Sequence, residues 1–274
     1  MTAASGVVGA APAIRPRAAG FLADCRSIAG RALRAIPREP EAIVPALVIP
    51  VFFFVVNIGA LERVAESERV EGTVSDFRAF QLPVAIIFAV TGISRASALV
   101  TDIQNGYFDR LLMTPIRRLS LLLGLMIADL ALVIALSIPV VMLGFAVGVR
   151  FETGVAGTLL FVLMAGLWGL AFTGFPYAIA LKTGNPAAVN TSFILFFPFA
   201  FLTTAFLPQE ALTGWLSTIS DWNPVTYLLA GMRALILTGW DGAEIAKGFA
   251  AIAGVGAVSM TLAFAALRGR LKRG

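Results

Sequence analysis

The sequence predicts an all-α integral membrane fold: six transmembrane helices, an N-terminal amphipathic interfacial helix ahead of them, and either a re-entrant helical hairpin or a plain extracellular loop before the last span. Three observations carry this expectation. Of 274 residues, 58% are hydrophobic and 14% charged, with a mean hydropathy of +0.88, whereas a soluble domain carries roughly 25% charged residues. The apolar residues are gathered into uncharged runs long enough to cross a bilayer. Between these runs the basic residues favour alternate loops. Lipid accepts apolar surface as long as each helix satisfies its own backbone.

Residues 1–20 read as a flexible N-terminus and 21–41 as an amphipathic connector helix. Phe21, Cys25, Ile28, Ala29, Ala32 and Ile36 share one face of the connector, with Arg26, Arg31 and Arg34 on the other. Such a helix lies on the membrane surface or touches a cytosolic partner. The first span, 42–60, is expected to bend at Pro45 and Pro50. Because about 40 fairly polar residues precede it, it is expected to be a permanent anchor and not a cleaved signal. An acidic loop with Glu62, Glu66, Glu68, Glu71 and Asp76 leads to the second span, 79–100, where Arg95 can snorkel. The third span, 119–149, holds one carboxylate, Asp129. The fourth, 157–181, is closed by Lys182 and the breakers Gly184, Asn185 and Pro186. The fifth is placed at 188–206. Over 207–240, Trp215, Trp222, Tyr227 and Trp240 alternate with Pro208, Gly214, Pro224 and Gly231, a pattern of short helices at an interface. The final span, 248–267, precedes a basic tail, 268–274.

Of the 21 Lys and Arg residues, 15 fall in the N-terminal segment, the tail and the loops on their side, against 6 on the other. The positive-inside bias therefore puts both termini in the cytoplasm of a multi-pass plasma (inner) membrane protein. The net charge of +5 does not read as a nucleic-acid footprint, since no aromatic-basic groove pattern accompanies it. A single Cys25 and no His exclude an intramolecular disulfide, the usual zinc sets and Ser-His or Cys-His nucleophiles. No G-x-x-x-x-G-K-[ST] phosphate loop is present, so any nucleotide chemistry is expected from another polypeptide.

The loop joining spans two and three, TDIQNGYFDRLLMTPIRR over 101–118, reads as a short helix from about Gly106 to Met113, stopped before Pro115. Its Tyr107, Phe108, Leu111 and Leu112 are too apolar to face water alone, which suits a soluble partner or the lipid headgroups. Asp129, inside a span, costs roughly 2.5–3.5 kcal/mol on insertion scales. It either lines a path for a cationic cargo or pairs with Arg95 or another Arg. Arg233 is expected to stabilise the extracellular hairpin by meeting helix carboxyl ends or Asp221.

These residues resemble a family, the type-2 ATP-binding cassette exporter permeases, and within it the daunorubicin-resistance permease group. The matching string is Asp102, Gly106, Asp109, Arg110, Pro115, Arg118, Gly124 and Asp129; Gln104 and Asn105 stand where many relatives carry charges. A second match, F206-L-P, G214-W-L, N223-P-V-T and R233-A-L, resembles the segment between the family's last two spans. The resemblance covers about residues 20–270 and implies several things. Asp102, Gly106, Phe108, Asp109, Arg110, Leu111, Pro115 and Arg118 would form the coupling segment that docks on an ATP-binding subunit. Pro208, Trp215, Asn223, Pro224 and Arg233 would shape the extracellular hairpin. The chain itself would hold no cofactor and catalyse nothing, with ATP and magnesium on the partner. A second permease chain would complete a multidrug-type efflux unit for a hydrophobic or amphipathic small molecule or lipid. The rival expectation is an ion- or proton-coupled secondary transporter, which needs several buried ionisable groups where only Asp129 stands out.

Overall fold

The computed structural model describes residues 20–38, 40–65, 76–91, 93–114 and 118–272, and their regular structure is helical throughout. Helix α1 spans Phe21–Ala35, α2 Pro40–Ala65, α3 Phe77–Thr91, α4 Ala96–Gln104 and α5 Tyr107–Leu112. Then come α6 (Arg118–Ala146), α7 (Gly154–Thr183), α8 (Pro186–Thr191) and α9 (Phe196–Phe201). The chain ends with α10 (Trp215–Trp222), α11 (Pro224–Leu237) and α12 (Gly242–Leu271).

Among the described residues five segments are long and apolar enough to cross a membrane: α2, α3 with α4, α6, α7 and α12. Four of them overrun the spans read from sequence. At 1.5 Å per residue the 30 residues of α7 reach about 45 Å, beyond the roughly 30 Å of hydrocarbon. Two expectations change in detail. The second span is interrupted after Thr91 and resumes at Ala96. The expected fifth span, 188–206, is α8, a 3₁₀ turn at Ser192–Leu195 and α9, followed by bends over 202–207. This piece, Pro186–Phe201, falls short of the length of a continuous spanning helix. Residues 1–19 and 66–75, most of the expected flexible terminus and of the acidic loop, lie outside the described residues, as do Pro115 and Arg273.

Asparagine and aspartate start three of the helices. Asn185 accepts from the Ala187 N–H before α8, and Asn223 from the Val225 N–H before α11, each followed by proline at the first helical position. Asp241 accepts from the Ala243 and Glu244 N–H groups to open α12.

Packing gives α1 a protein partner. Its buried face is Cys25, Ile28, Ala29 and Ala32, with Arg26, Arg31 and Arg34 exposed, and it lies against α6. Gly124 makes that approach possible, because a Cβ there would sit 2.7 Å from Ile28 Cβ. α2 turns Val44, Val48, Phe52 and Val55 outward and, among its described side chains, buries only Pro50 and Phe54, the distribution of a helix facing lipid. α12 packs on α7, where the Ser259 hydroxyl donates to the Ala171 carbonyl, and on α11.

Among the described residues two apolar clusters fill the interior. One joins α3, the C-terminal part of α6, α7, α9 and α11 through residues such as Ile86, Val90, Leu136, Trp168, Phe172 and Met232. The other joins α1, α4, α5 and the remaining ends of α6, α7 and α12 through Ile28, Leu99, Phe108, Leu125, Ala180 and Leu267.

Candidate functional site

The loop singled out by sequence is built as a helix–corner–helix. α4 ends at Gln104, and Gly106 turns the chain with φ +66°, a left-handed conformation that L side chains rarely adopt. α5 thus begins at Tyr107, one residue later than the sequence pattern implies. Arg110 closes the corner on its exposed side, its Nη2 donating to the Asn105 carbonyl at 3.2 Å and its Nε to that of Gly106 at 3.4 Å. Gln104, uncharged, donates from Nε2 to the Gly184 carbonyl at 3.0 Å and so ties the corner to the end of α7.

The side chains divide in a way the sequence did not reveal. Phe108, read as a partner contact, is 2% exposed and seated in the bundle's own interior, with the Arg270 guanidinium 5.9 Å from its ring centroid. Leu111 packs against the same cluster. The outward face is instead Asp109, Arg110, Met113 and Thr114, with Met113 89% exposed. Met113 thus leaves a large apolar side chain in the open beside Asp109 and Arg110. Pro115 lies outside the described residues, and Arg118 opens α6 with its side chain undescribed.

Asp102 faces the connector helix. Arg31 Nη2 donates to Asp102 Oδ2 at 2.6 Å and Nη1 to Oδ1 at 3.4 Å, and the guanidinium stands 4.7 Å from the Tyr107 ring centroid. One arginine therefore ties α1 to both α4 and α5. A cleft of about 300 Å³ lies beside this pair, lined by Arg31, Ala35, Arg95, Thr101, Asp102 and Leu125. The pairing joins residues 71 apart, and nothing in local sequence signals it.

Asp129 is 1% exposed, and both of its oxygens are engaged. Oδ1 accepts from the Arg95 main-chain N–H at 2.8 Å, and Oδ2 from the Tyr177 hydroxyl at 2.7 Å. The expected link to Arg95 thus includes a hydrogen bond from its backbone, with the Arg95 charge also acting on the carboxylate. Tyr177, fully buried, is a residue the sequence reading missed: a lone tyrosine in the uncharged run 153–181 carries no distinguishing pattern. Among the described residues no three Cys, Asp or Glu side chains gather where a metal could be held.

At the other end of the bundle the hairpin residues form a second polar construction. Arg233, 8% exposed, does not meet Asp221. Its Nε donates to the Phe80 carbonyl at 3.1 Å, Nη1 to Thr204 Oγ1 at 3.1 Å and Nη2 to the Thr204 carbonyl at 2.8 Å, with the guanidinium 3.4 Å from the Phe80 ring centroid. Asp221 is taken by Gln209 Nε2 at 2.7 Å. The Asn223 amide donates to the Phe199 and Leu202 carbonyls at 2.7 and 2.8 Å while its oxygen caps α11. Pro208 is buried; Trp215, Trp222 and Trp240 are 68%, 86% and 60% exposed, as aromatic residues of a membrane-water interface are.

Comparison with known proteins agrees with these features. Residues 23–237 match the ABC-2 type transporter family. Over 209 residues the chain is 25% identical to a daunorubicin resistance ABC transporter permease protein of Streptomyces coeruleorubidus, covering 75% of this chain and 72% of that one. It is 24% identical over 223 residues to a probable doxorubicin resistance ABC transporter permease protein of Mycobacterium tuberculosis, covering 80% and 79%. A putative transport permease of Cyanophora paradoxa is 24% identical over 223 residues, covering 78% and 74%.

Proposed function

The chain belongs to the ABC-2 type transporter family, and from that membership we propose that it is the permease subunit of an ATP-driven exporter that moves a hydrophobic or amphipathic small molecule, drug-like or lipid, out of the cell. The permeases named for daunorubicin and doxorubicin resistance support that cargo class. ATP and magnesium are held by a separate ATP-binding subunit, and two permease chains, alike or sister, stand side by side in the plasma membrane with their termini in the cytoplasm. In this reading α8 and α9 complete a sixth crossing, α1 lies at the cytoplasmic interface, and α10 with α11 dips back into the outer leaflet.

The observation that carries the proposal is the division of α5 into a buried anchor and an exposed edge. Phe108 seats the helix in the bundle, while Asp109, Arg110, Met113 and Thr114 offer a small mixed surface to a soluble partner. A push on that edge passes into α4 through the Gly106 corner, into α1 through Arg31, and toward α7 through Gln104. ATP binding in the partner would then bias two arrangements of the spans, one open inward and one outward. An ion-coupled mechanism is less well supported, since Asp129 has both oxygens occupied in a closed interior.

The test is purification of the tagged chain from its native membranes in mild detergent. A stoichiometric protein with a phosphate loop and ATPase activity should co-elute, and Arg110→Glu with Met113→Glu should release it while leaving the permease monodisperse. If no ATPase accompanies the wild-type chain even when both are abundant, and export follows an ion gradient instead, the proposal fails.

A further inference from the structure

The boundary between the two apolar clusters is polar. Along the second span it falls between Ile93 and Ala96, along α6 between Ala128 and Leu132, and along α7 between Phe172 and Tyr177. At this level lie Arg95, Asp129 and Tyr177, all buried.

Arg95 is the N-cap of α4, so its main-chain N–H has no partner inside the helix and, being buried, must find an acceptor elsewhere. The acceptor comes from α6, as Asp129 Oδ1 at 2.8 Å. The other carboxylate oxygen is held from α7 by the Tyr177 hydroxyl at 2.7 Å. Two turns and a half earlier, α7 also reaches the last residue of α3, where Trp168 Nε1 donates to Thr91 Oγ1 at 3.0 Å. α7 therefore grips the end of α3 directly and the start of α4 through Asp129.

We propose that Asp129 and Tyr177 are positioning residues that pin the buried start of α4, and the α5 segment it carries, to α6 and α7. Through this pin a displacement of α5 moves the two spans together instead of being lost in a local swing of α4. The pin is a property of the chain alone; only the origin of the displacement rests on the permease reading above.

Amide hydrogen exchange of the purified chain in lipid nanodiscs tests the pin without any partner. Asp129→Ala leaves the Arg95 amide without its acceptor, so peptides covering 95–112 should exchange roughly tenfold faster, while those covering 242–271 stay as in wild type. Asp129→Asn should restore protection, because a carboxamide oxygen can accept from Arg95 and its NH₂ can donate to the Tyr177 oxygen. Tyr177→Phe, which removes a single hydroxyl, should give an intermediate rate and covers the case in which Asp129→Ala does not fold. Unchanged exchange in Asp129→Ala and Tyr177→Phe overturns the proposal, as does an Asn variant as unprotected as the Ala variant. With the ATPase bound, cargo exported per ATP should fall in Asp129→Ala and recover in Asp129→Asn. Failure to find an ATPase sinks the functional reading and leaves the exchange result to judge the pin.

Discussion

At the scale of single residues, the buried charges act by satisfying backbone. Arg233 spends its donors on the Phe80 and Thr204 carbonyls and the Thr204 hydroxyl. Removing it leaves those acceptors buried without a partner, so Arg233→Ala should cost about 3 kcal/mol. Arg233→Lys should recover less than half, because an ammonium cannot fork to three acceptors while lying flat on an aromatic ring. Thermal unfolding of the three proteins in nanodiscs reads the difference. The structural role of this arginine was legible in the sequence, as an isolated cation among tryptophans and prolines, but its partners were not. Asp221 offered a formal charge nearby, whereas the real acceptors are uncharged: the Phe80 carbonyl of α3, 153 residues earlier, and the Thr204 carbonyl and hydroxyl in the bend after α9, 29 residues earlier. Asp129 repeats the point: its cost marked it out, and the Arg95 amide and Tyr177 that offset this cost did not advertise themselves.

At the scale of elements, uncharged length was sufficient to find α6, α7 and α12, and the amphipathic stripe was sufficient to find α1. The interruption of the second span was missed because its support is a carboxylate 34 residues away. The substance that covers α1 was left open between lipid and partner, and α6 covers it. This contact gives a direct assay. Cys25 is the sole cysteine, on the buried face of α1, and burial pushes its thiol pKa up with the Asp24 carboxylate adding to the effect, so it is a poor nucleophile. Wild-type protein should resist maleimide at neutral pH. Gly124→Val forces a side chain into Ile28 and should cost about 1–3 kcal/mol. The expected result is labelling of Cys25 at least several-fold faster; equal labelling in both proteins would show that α1 is not held there.

At the scale of the whole molecule, the arrangement implies two differently furnished ends. The Arg31–Asp102 tie, the Gly106 corner and the basic end of α12 gather at one, while Arg233, Asn223 and the exposed tryptophans gather at the other. Orientation was read from the count of basic residues alone, and it is testable. Cysteine placed at Thr218 should react with a membrane-impermeant maleimide added to intact cells, whereas cysteine at Thr114 should react only after lysis; the reverse pattern would invert the topology. What the sequence could not convey is that the expected fifth span is built of fragments. The carbonyls at the end of α9 and in the bends after it are capped by Asn223 and Arg233, which are synthesised later. Lipid offers those carbonyls no substitute donor. Biogenesis therefore has a compulsory order: the ribosome must release α11 before α8 and α9 can settle, and a chain halted short of Asn223 presents quality-control proteases with an unfinished segment.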